Sequence, residues 1–338
     1  VLNRNLFKLK ILKKFKMPLD SENMLGVIKD FPRQCREALD LPRGISVSGE
    51  VTSIVVIGMG GSAVGGDLLK TYLHDTKIPV FVIRDYKVPE FVDDYTLVFA
   101  VSYSGNTEET LSALKDAKEK GAKIIGITSG GKLEGECEKV IKVPFGLQPR
   151  AALAYLLFPM LGVLHNSNIV DVKNSELNEM LAIIKNVEKF NSEGEALAKK
   201  IREKIPIVYA SQLLEPVAFR WKTQINENAK MPCFYNVFSE MNHNEIAGYQ
   251  GMDRKFVAVL LKDKHDNEGV KKRMEICKGL MGERVNVEEA DVKGESLLAR
   301  MISAAYLGDF VSYYLAVWNR VDPSPVKIIE SLKKKLVE

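Results

Sequence analysis

TLVFAVSYSGNTEET, residues Thr96 to Thr110, is the stretch on which the reading of the fold turns. Leu97 to Val101 is apolar without polar alternation, the pattern of a strand buried on both faces. It passes at once into Ser102-Tyr103-Ser104-Gly105-Asn106-Thr107, after which Glu108 and Glu109 open a helical pattern through Leu111, Leu114 and Ala117. Three hydroxyls and a glycine therefore lie between the carboxyl end of a strand and the amino end of a helix. Unpaired N–H groups and the helix dipole favour an anion there, glycine admits close backbone approach, and small hydroxyls add donors. An ordinary strand-to-helix turn with Asn106 or Thr107 as N-cap uses the same residue types. Taken alone, the run fits a phosphate loop or a turn equally well.

Upstream, Ser53 to Ile57 reads as a buried strand, followed by Gly58-Met59-Gly60-Gly61-Ser62 and a helix through Asp67 to Tyr72. Val80–Ile83, Lys123–Ile127 and Val140–Val143 read as further strands. Strands alternating with helices predict a mainly parallel sheet flanked on both faces, a three-layer αβα arrangement. Gly60-Gly61-Ser62 then becomes a second loop at the same carboxyl edge, where open α/β sheets bind ligands. Gly58-x-Gly60-x-x-Ala63 partly matches a dinucleotide fingerprint, with Asp85 near the place of a ribose-binding acid. The second, hydroxyl-rich loop weighs against a nucleotide, because a six-carbon sugar phosphate uses both loops at once.

Gly146-Leu147-Gln148-Pro149-Arg150 opens a helix predicted over Ala151–His165, and Arg150 either faces the crevice or caps the surface. Residues 171–204 are charged and helical, a bridge between a first α/β unit, residues 17–170, and a second, residues 205–338. The second unit has predicted strands at Ile205–Ala210, Phe234–Val237, Phe256–Leu261 and Arg284–Val287. Ser296 to Trp318 is apolar nearly all round, as in a helix buried in a core or an oligomer interface. A last helix, Val326–Leu336, follows Asp322-Pro323-Ser324-Pro325.

The 338 residues allow one large or two ordinary domains, and 46% hydrophobic with 27% charged residues is a globular composition. Net charge is +4, yet residues 1–16 alone hold six basic side chains and no acid, so the rest is slightly acidic. That excludes a nucleic-acid footprint on the body of the chain. The leading segment reads as a targeting peptide, a basic arm or upstream translation before Met17, and lacks the apolar core and cleavage site of a secretory signal. Cys35, Cys137, Cys233 and Cys277 are scattered, as expected of reduced thiols in the cytoplasm. Ala151 to Leu164, the longest apolar stretch, is interrupted by Pro159 and too short to span a bilayer.

The second half holds RWKTQINENAK, residues Arg220 to Lys230. On a helix over Pro216–Ala229, Arg220, Thr223 and Glu227 share one face, which lines a cleft or is a solvated Glu–Arg face. Ser239 to Glu245, SEMNHNE, surrounds His243 with polar side chains, as a catalytic loop or a plain capping loop would. A carboxylate and a histidine suit proton shuttling on a sugar phosphate. Aldose–ketose isomerisation needs a base between two carbons, a group that opens the ring and a positive charge beside the enediolate. No ligand spacing for a metal is visible, which favours a metal-free enediol route over hydride shift.

GMGGSAVGGD, SYSGNTEET, GLQPRAALAY, KTQINENAK, MNHNEIAG and YLGDFVSYYLAVW with DPSPV together resemble the bifunctional phosphoglucose/phosphomannose isomerases. These belong to the sugar isomerase (SIS) superfamily, with two SIS subdomains per chain. The resemblance runs from Met17 to the C-terminus. It implies a cofactor-free, cytoplasmic homodimer interconverting glucose 6-phosphate and mannose 6-phosphate with fructose 6-phosphate. It further implies that Gly61, Ser62, Ser102, Ser104 and Thr107 hold the phosphate. Glu227 is then the base, Arg150 the cation beside the enediolate, and His243 the ring-opening residue, supplied across the dimer interface. Lys333 is the choice for a lysine that assists ring opening, with Lys327, Lys334 and Lys335 as neighbours. Ser324 is the candidate small hydroxyl residue leaving room for both epimers. The alternatives are an SIS isomerase for another sugar phosphate, a sugar-phosphate sensor without catalysis, and a dinucleotide-dependent oxidoreductase.

Overall fold

The computed structural model describes residues 19–337; the basic segment 1–16 and the proposed boundary at Met17 lie outside them. In the first half, helices α1 (Met24–Lys29) and α2 (Phe31–Asp40) precede β1 (Ser53–Ile57), α3 (Gly61–Tyr72), β2 (Val80–Ile83) and β3 (Thr96–Val101). There follow α4 (Glu108–Glu119), β4 (Lys123–Thr128), α5 (Lys132–Glu136), β5 (Val140–Lys142) and α6 (Leu153–Asn166). Helices α7 (Asn174–Ile184) and α8 (Val187–Ile201) lead into β6 (Ile205–Ala210), α9 (Glu215–Ala229), β7 (Phe234–Val237), α10 (Phe238–Met241) and α11 (Glu245–Gly248). The chain closes with β8 (Phe256–Lys262), α12 (Glu268–Gly282), β9 (Asn286–Asp291), α13 (Leu297–Asn319) and α14 (Lys327–Val337).

Two sheets result, ordered β2-β1-β3-β4-β5 and β7-β6-β8-β9, with every neighbouring pair parallel. Residues of β1 and β3 are buried throughout, because helices cover both faces and leave no side for polar alternation. The two sheets share one winding. In each, the strand order reverses beside the first strand, and that switch point opens a crevice at the carboxyl edge. In the first sheet it lies between β1 and β3, the strands from which the Gly58–Ser62 and Ser102–Thr107 loops emerge.

Helix α13 is the axis on which the halves meet. As its all-round apolar sequence predicts, it is buried along most of its length, and it packs against α7, α8 and α9. Gly308 makes room for Trp221 of α9, whose indole donates to Ala304 O at 2.8 Å. Gly194 of α8 makes room in the same way for Phe310. One hydrophobic core runs from Met24 to Ala316.

Several boundaries differ from expectation. Helix α3 begins at Gly61, six residues before the expected Asp67. β9 is Asn286–Asp291 instead of Arg284–Val287, because pairing of Val257↔Asn286 through Lys262↔Asp291 sets its register. Its Glu288 and Glu289 suit an edge strand, bridging Lys200 at 2.9 Å and Lys278 at 2.8 Å. The predicted helix at Ala151 begins instead with a 3₁₀ turn, Pro149–Ala151, ahead of α6. Val143 falls outside β5. No helix among the described residues is long and apolar enough to cross a membrane.

Candidate active site

The Ser102–Thr107 loop is held from beneath by its own first hydroxyl. Ser102 is fully buried; its Oγ lies 2.9 Å from Thr107 Oγ1 and accepts from Gly105 N at 3.1 Å. Gly105 has φ 69°, and a Cβ there would collide with Gly130 O, so only glycine fits. Ser104 is exposed and Thr107 half-buried. Thr107 is the N-cap residue of α4, as the turn reading anticipates, yet its hydroxyl makes no capping bond. Among the described residues the first N–H groups of α4 therefore have no side-chain partner, the arrangement that suits an anion.

The second loop joins the first directly. Tyr103 N donates to Ser62 Oγ at 3.2 Å. Gly60 enters α3 with φ 53°, and α3 too lacks a side-chain cap. At Gly61 a Cβ would lie 3.0 Å from Arg150 Cα and 3.0 Å from Pro149 O. Its missing side chain lets the Pro149–Ala151 turn seat on the loop. Tyr103 fixes that turn from the other end, donating to Pro144 O and accepting from Leu147 N, both at 2.8 Å.

Arg150 is the hub. It is 5% exposed, and its Nε donates to Asn228 Oδ1 at 2.6 Å. One terminal nitrogen donates to Pro323 O at 2.6 Å and Ser324 O at 2.7 Å. The other makes two longer bonds, both 3.2 Å, to Gln148 Oε1 and Glu227 Oε2. Burial lowers the Arg150 pKa, opposed by Glu227 and Glu22. The looser nitrogen faces Glu227, whose side chain is 29% exposed, so its two bonds are the weakest that Arg150 makes.

Behind the hub lies a polar seam. Arg220 is buried and makes a two-pronged bond to Asp309 of α13 at 2.8 and 2.9 Å, and a third to Arg150 O at 3.1 Å. Gln224 donates to Asp309 at 2.6 Å and Asn228 to Ser312 Oγ at 2.9 Å. The face shared by Arg220, Thr223 and Glu227 is thus not a solvated ion-pair face. Arg220, Gln224 and Asn228, spaced by four, turn inward, while Thr223 and Glu227 occupy the half-buried flank.

Ser324 is fully buried; its carbonyl serves Arg150, and its Oγ has no hydrogen-bond partner among the described residues. Lys230, unassigned by the sequence although it ends the NENAK run, donates to Glu227 O at 2.8 Å, Asp322 O at 2.7 Å and Pro323 O at 3.1 Å. Glu22 reaches the same rim, accepting from Gln148 at 2.7 Å. His243 is exposed on the turn between α10 and α11, and Lys333 is exposed on α14; neither side chain is joined to Glu227 or Arg150 by a bond in this chain. Among the described residues no group of three or more His, Cys, Asp or Glu is arranged to hold a metal ion.

The second sheet's matching loop, after β8, offers carboxylates where the first offers hydroxyls. Asp263 is buried and paired with Arg300, and burial raises the pKa of Asp266 beside it. The winding repeats, but the anion site does not.

Comparison with known proteins agrees with this geometry. Residues 50–146 match the model of the SIS domain, and residues 190–336 match that of the bacterial phospho-glucose isomerase C-terminal SIS domain. A bifunctional phosphoglucose/phosphomannose isomerase of Caldicellulosiruptor bescii is 44% identical over 93% of this chain and 99% of its own. One from Thermoplasma acidophilum is 40% identical over 86% of this chain and 91% of its own. In fold, the C-terminal domain of glucosamine-fructose-6-phosphate aminotransferase from Francisella tularensis superimposes with a TM-score of 0.70 at 18% identity, covering 90% of this chain and 98% of that one. The chain belongs to the bifunctional phosphoglucose/phosphomannose isomerase family.

Proposed function

We propose that the protein is an aldose–ketose isomerase interconverting glucose 6-phosphate and mannose 6-phosphate with fructose 6-phosphate through a cis-enediolate. The observation that carries this reading is the Arg150–Glu227 pair at 3.2 Å, set beside two hydroxyl-bearing loops at one switch point. The phosphate binds at the α4 amino terminus with Ser104 and Thr107, and Ser62 and Ser102 hold the loops in shape. Glu227 takes the proton from carbon 2 of the open-chain aldose and returns it to carbon 1 of the enediolate, while the hydroxyl proton on oxygen 2 passes to oxygen 1. Arg150 places positive charge beside the oxygens on which negative charge develops. Because the enediolate is planar at carbon 2, one base serves both epimers, provided the wall near Ser324 admits either hydroxyl.

The ring-opening groups belong to the same reading. His243 and Lys333 stand apart from Glu227 in one chain, which supports a homodimer in which His243 is contributed by the partner subunit. Helix α14 leaves Ile328, Leu332 and Leu336 exposed, an apolar stripe that a second copy covers. The cytoplasm is the proposed compartment, in keeping with free thiols at Cys35, Cys137, Cys233 and Cys277.

Glu227→Gln tests the assignment. Turnover is expected to fall by roughly 10²- to 10⁴-fold while binding of glucose 6-phosphate, read by calorimetry, stays near wild type. Near-normal turnover would remove Glu227 as the base.

A further inference from the structure

Lys230 follows the last turn of α9 in a left-handed conformation, φ 53° and ψ 40°. Helices ordinarily place glycine there, and a lysine carries strain that glycine would not. What the lysine adds is its ammonium, turned onto Glu227 O, Asp322 O and Pro323 O. Glu227 O is one of the unpaired carbonyls of a helix end, where a cation also meets the negative pole of the helix dipole. Pro323 O is shared with Arg150, so two cations hold one loop. A single side chain thereby ties the residue bearing the carboxylate to the loop bearing Ser324.

We propose that Lys230 is a positioning residue of the isomerase site: its protonated ammonium clamps the end of α9 to the Asp322–Ser324 loop and holds Glu227 in line with the reacting carbons. The inference rests on the functional reading above. Three charged groups face the ammonium: Arg150 from the 3₁₀ turn, Glu227 from α9 and Asp322 from the loop. Lys230 as a residue is exposed, yet the partial desolvation of its ammonium and the nearby Arg150 together outweigh the two acids and bring it down to about 8. Above that pH the ammonium becomes an amine, with one donor fewer and no charge, and the clamp loosens. Stability moves the other way. An unfolded lysine keeps its proton to about pH 10.4, so between the folded and unfolded values the contribution of this group to stability rises with pH. A fall in activity over that interval is therefore not unfolding driven by Lys230.

The test is kcat and KM for glucose 6-phosphate from neutral to alkaline pH in the full chain, comparing wild type, Lys230→Gly, Lys230→Arg and Glu227→Gln. Lys230→Gly relieves the backbone and removes the cation. It is expected to keep thermal stability and KM near wild type while kcat falls at neutral pH by roughly tenfold or more. Lys230→Arg, charged at all these pH values, is expected to restore kcat and to lose the wild-type decline near pH 8. Full kcat in Lys230→Gly, or an unchanged alkaline decline in Lys230→Arg, would overturn the clamp. If either occurs while wild type isomerises and Glu227→Gln does not, the clamp fails alone; a wild type without isomerase activity fails the functional reading itself.

Discussion

Ser102, Ser104 and Thr107 are three hydroxyls within six residues, and they do different work. Ser102 is buried and holds the loop; Ser104 is open to solvent. Replacing Ser104 and Thr107 together by Ala is expected to raise KM for glucose 6-phosphate roughly tenfold, with a smaller change in kcat, since the phosphate is held alike in ground and transition states. Ser102→Ala is expected instead to lower stability by about 1 kcal/mol, read by thermal denaturation, because it strips the Thr107 hydroxyl of its partner, while Gly105 N–H keeps its bond to Ser102 O at 3.0 Å. The sequence shows that these hydroxyls cluster between strand and helix. It does not show which one points inward, because that depends on the backbone of Gly105 and on a loop 25 residues away, where Ser129 Oγ donates to Tyr103 O at 2.6 Å. Lys230 was hidden for a related reason: its role needs the carbonyls of Asp322 and Pro323, some 90 positions on.

Helices α9 and α13 form the element pair that supports the site, and their packing is a joint of small against large. A methyl group on Gly308 would enter the Trp221 ring, so Gly308→Ala is expected to cost about 1–3 kcal/mol. Asp309→Ala is expected to cost about 3–5 kcal/mol, measured by denaturant unfolding, because it leaves the Arg220 guanidinium buried without its carboxylate. A loss under 1 kcal/mol would mean the seam is solvated. Periodicity located both helices to within a residue or two, since long apolar repeats fix an element's existence. It grouped Arg220 with Thr223 and Glu227 on one face, whereas Arg220 turns inward with Gln224 and Asn228, because the faces at 220/224/228 and 223/227 are separated by only one residue's turn of about 100°. The partner that decides between them, Asp309, stands 89 residues beyond Arg220. The strand expected at Arg284–Val287 lies two residues too early, because backbone pairing with β8 sets β9 at the polar Asn286–Asp291.

At the scale of the molecule, two sheets of one winding share a core, and among the described residues the first carries the hydroxyl-rich loop Ser102–Thr107 at its switch point where the second has Asp263 and Asp266. The alternation of strands and helices made this architecture legible, down to which loops face the crevice. Completeness of the site was not: His243 and Lys333 sit on exposed elements, and among the described residues neither side chain is bonded to Glu227 or Arg150. If His243 acts across a dimer, Glu227→Gln and His243→Ala chains are each inactive alone, and hybrids refolded from a mixture regain activity at their one intact site. Mixtures as inactive as their parents would confine both residues to one subunit. The central claim is that one Glu227-centred site isomerises both epimers without a metal. Its most direct test is fructose 6-phosphate formation from glucose 6-phosphate and, separately, from mannose 6-phosphate, with EDTA present. Comparable turnover of the two is the predicted result. Turnover of glucose 6-phosphate alone would contradict the epimer tolerance placed near Ser324, and turnover of neither would contradict the isomerase itself.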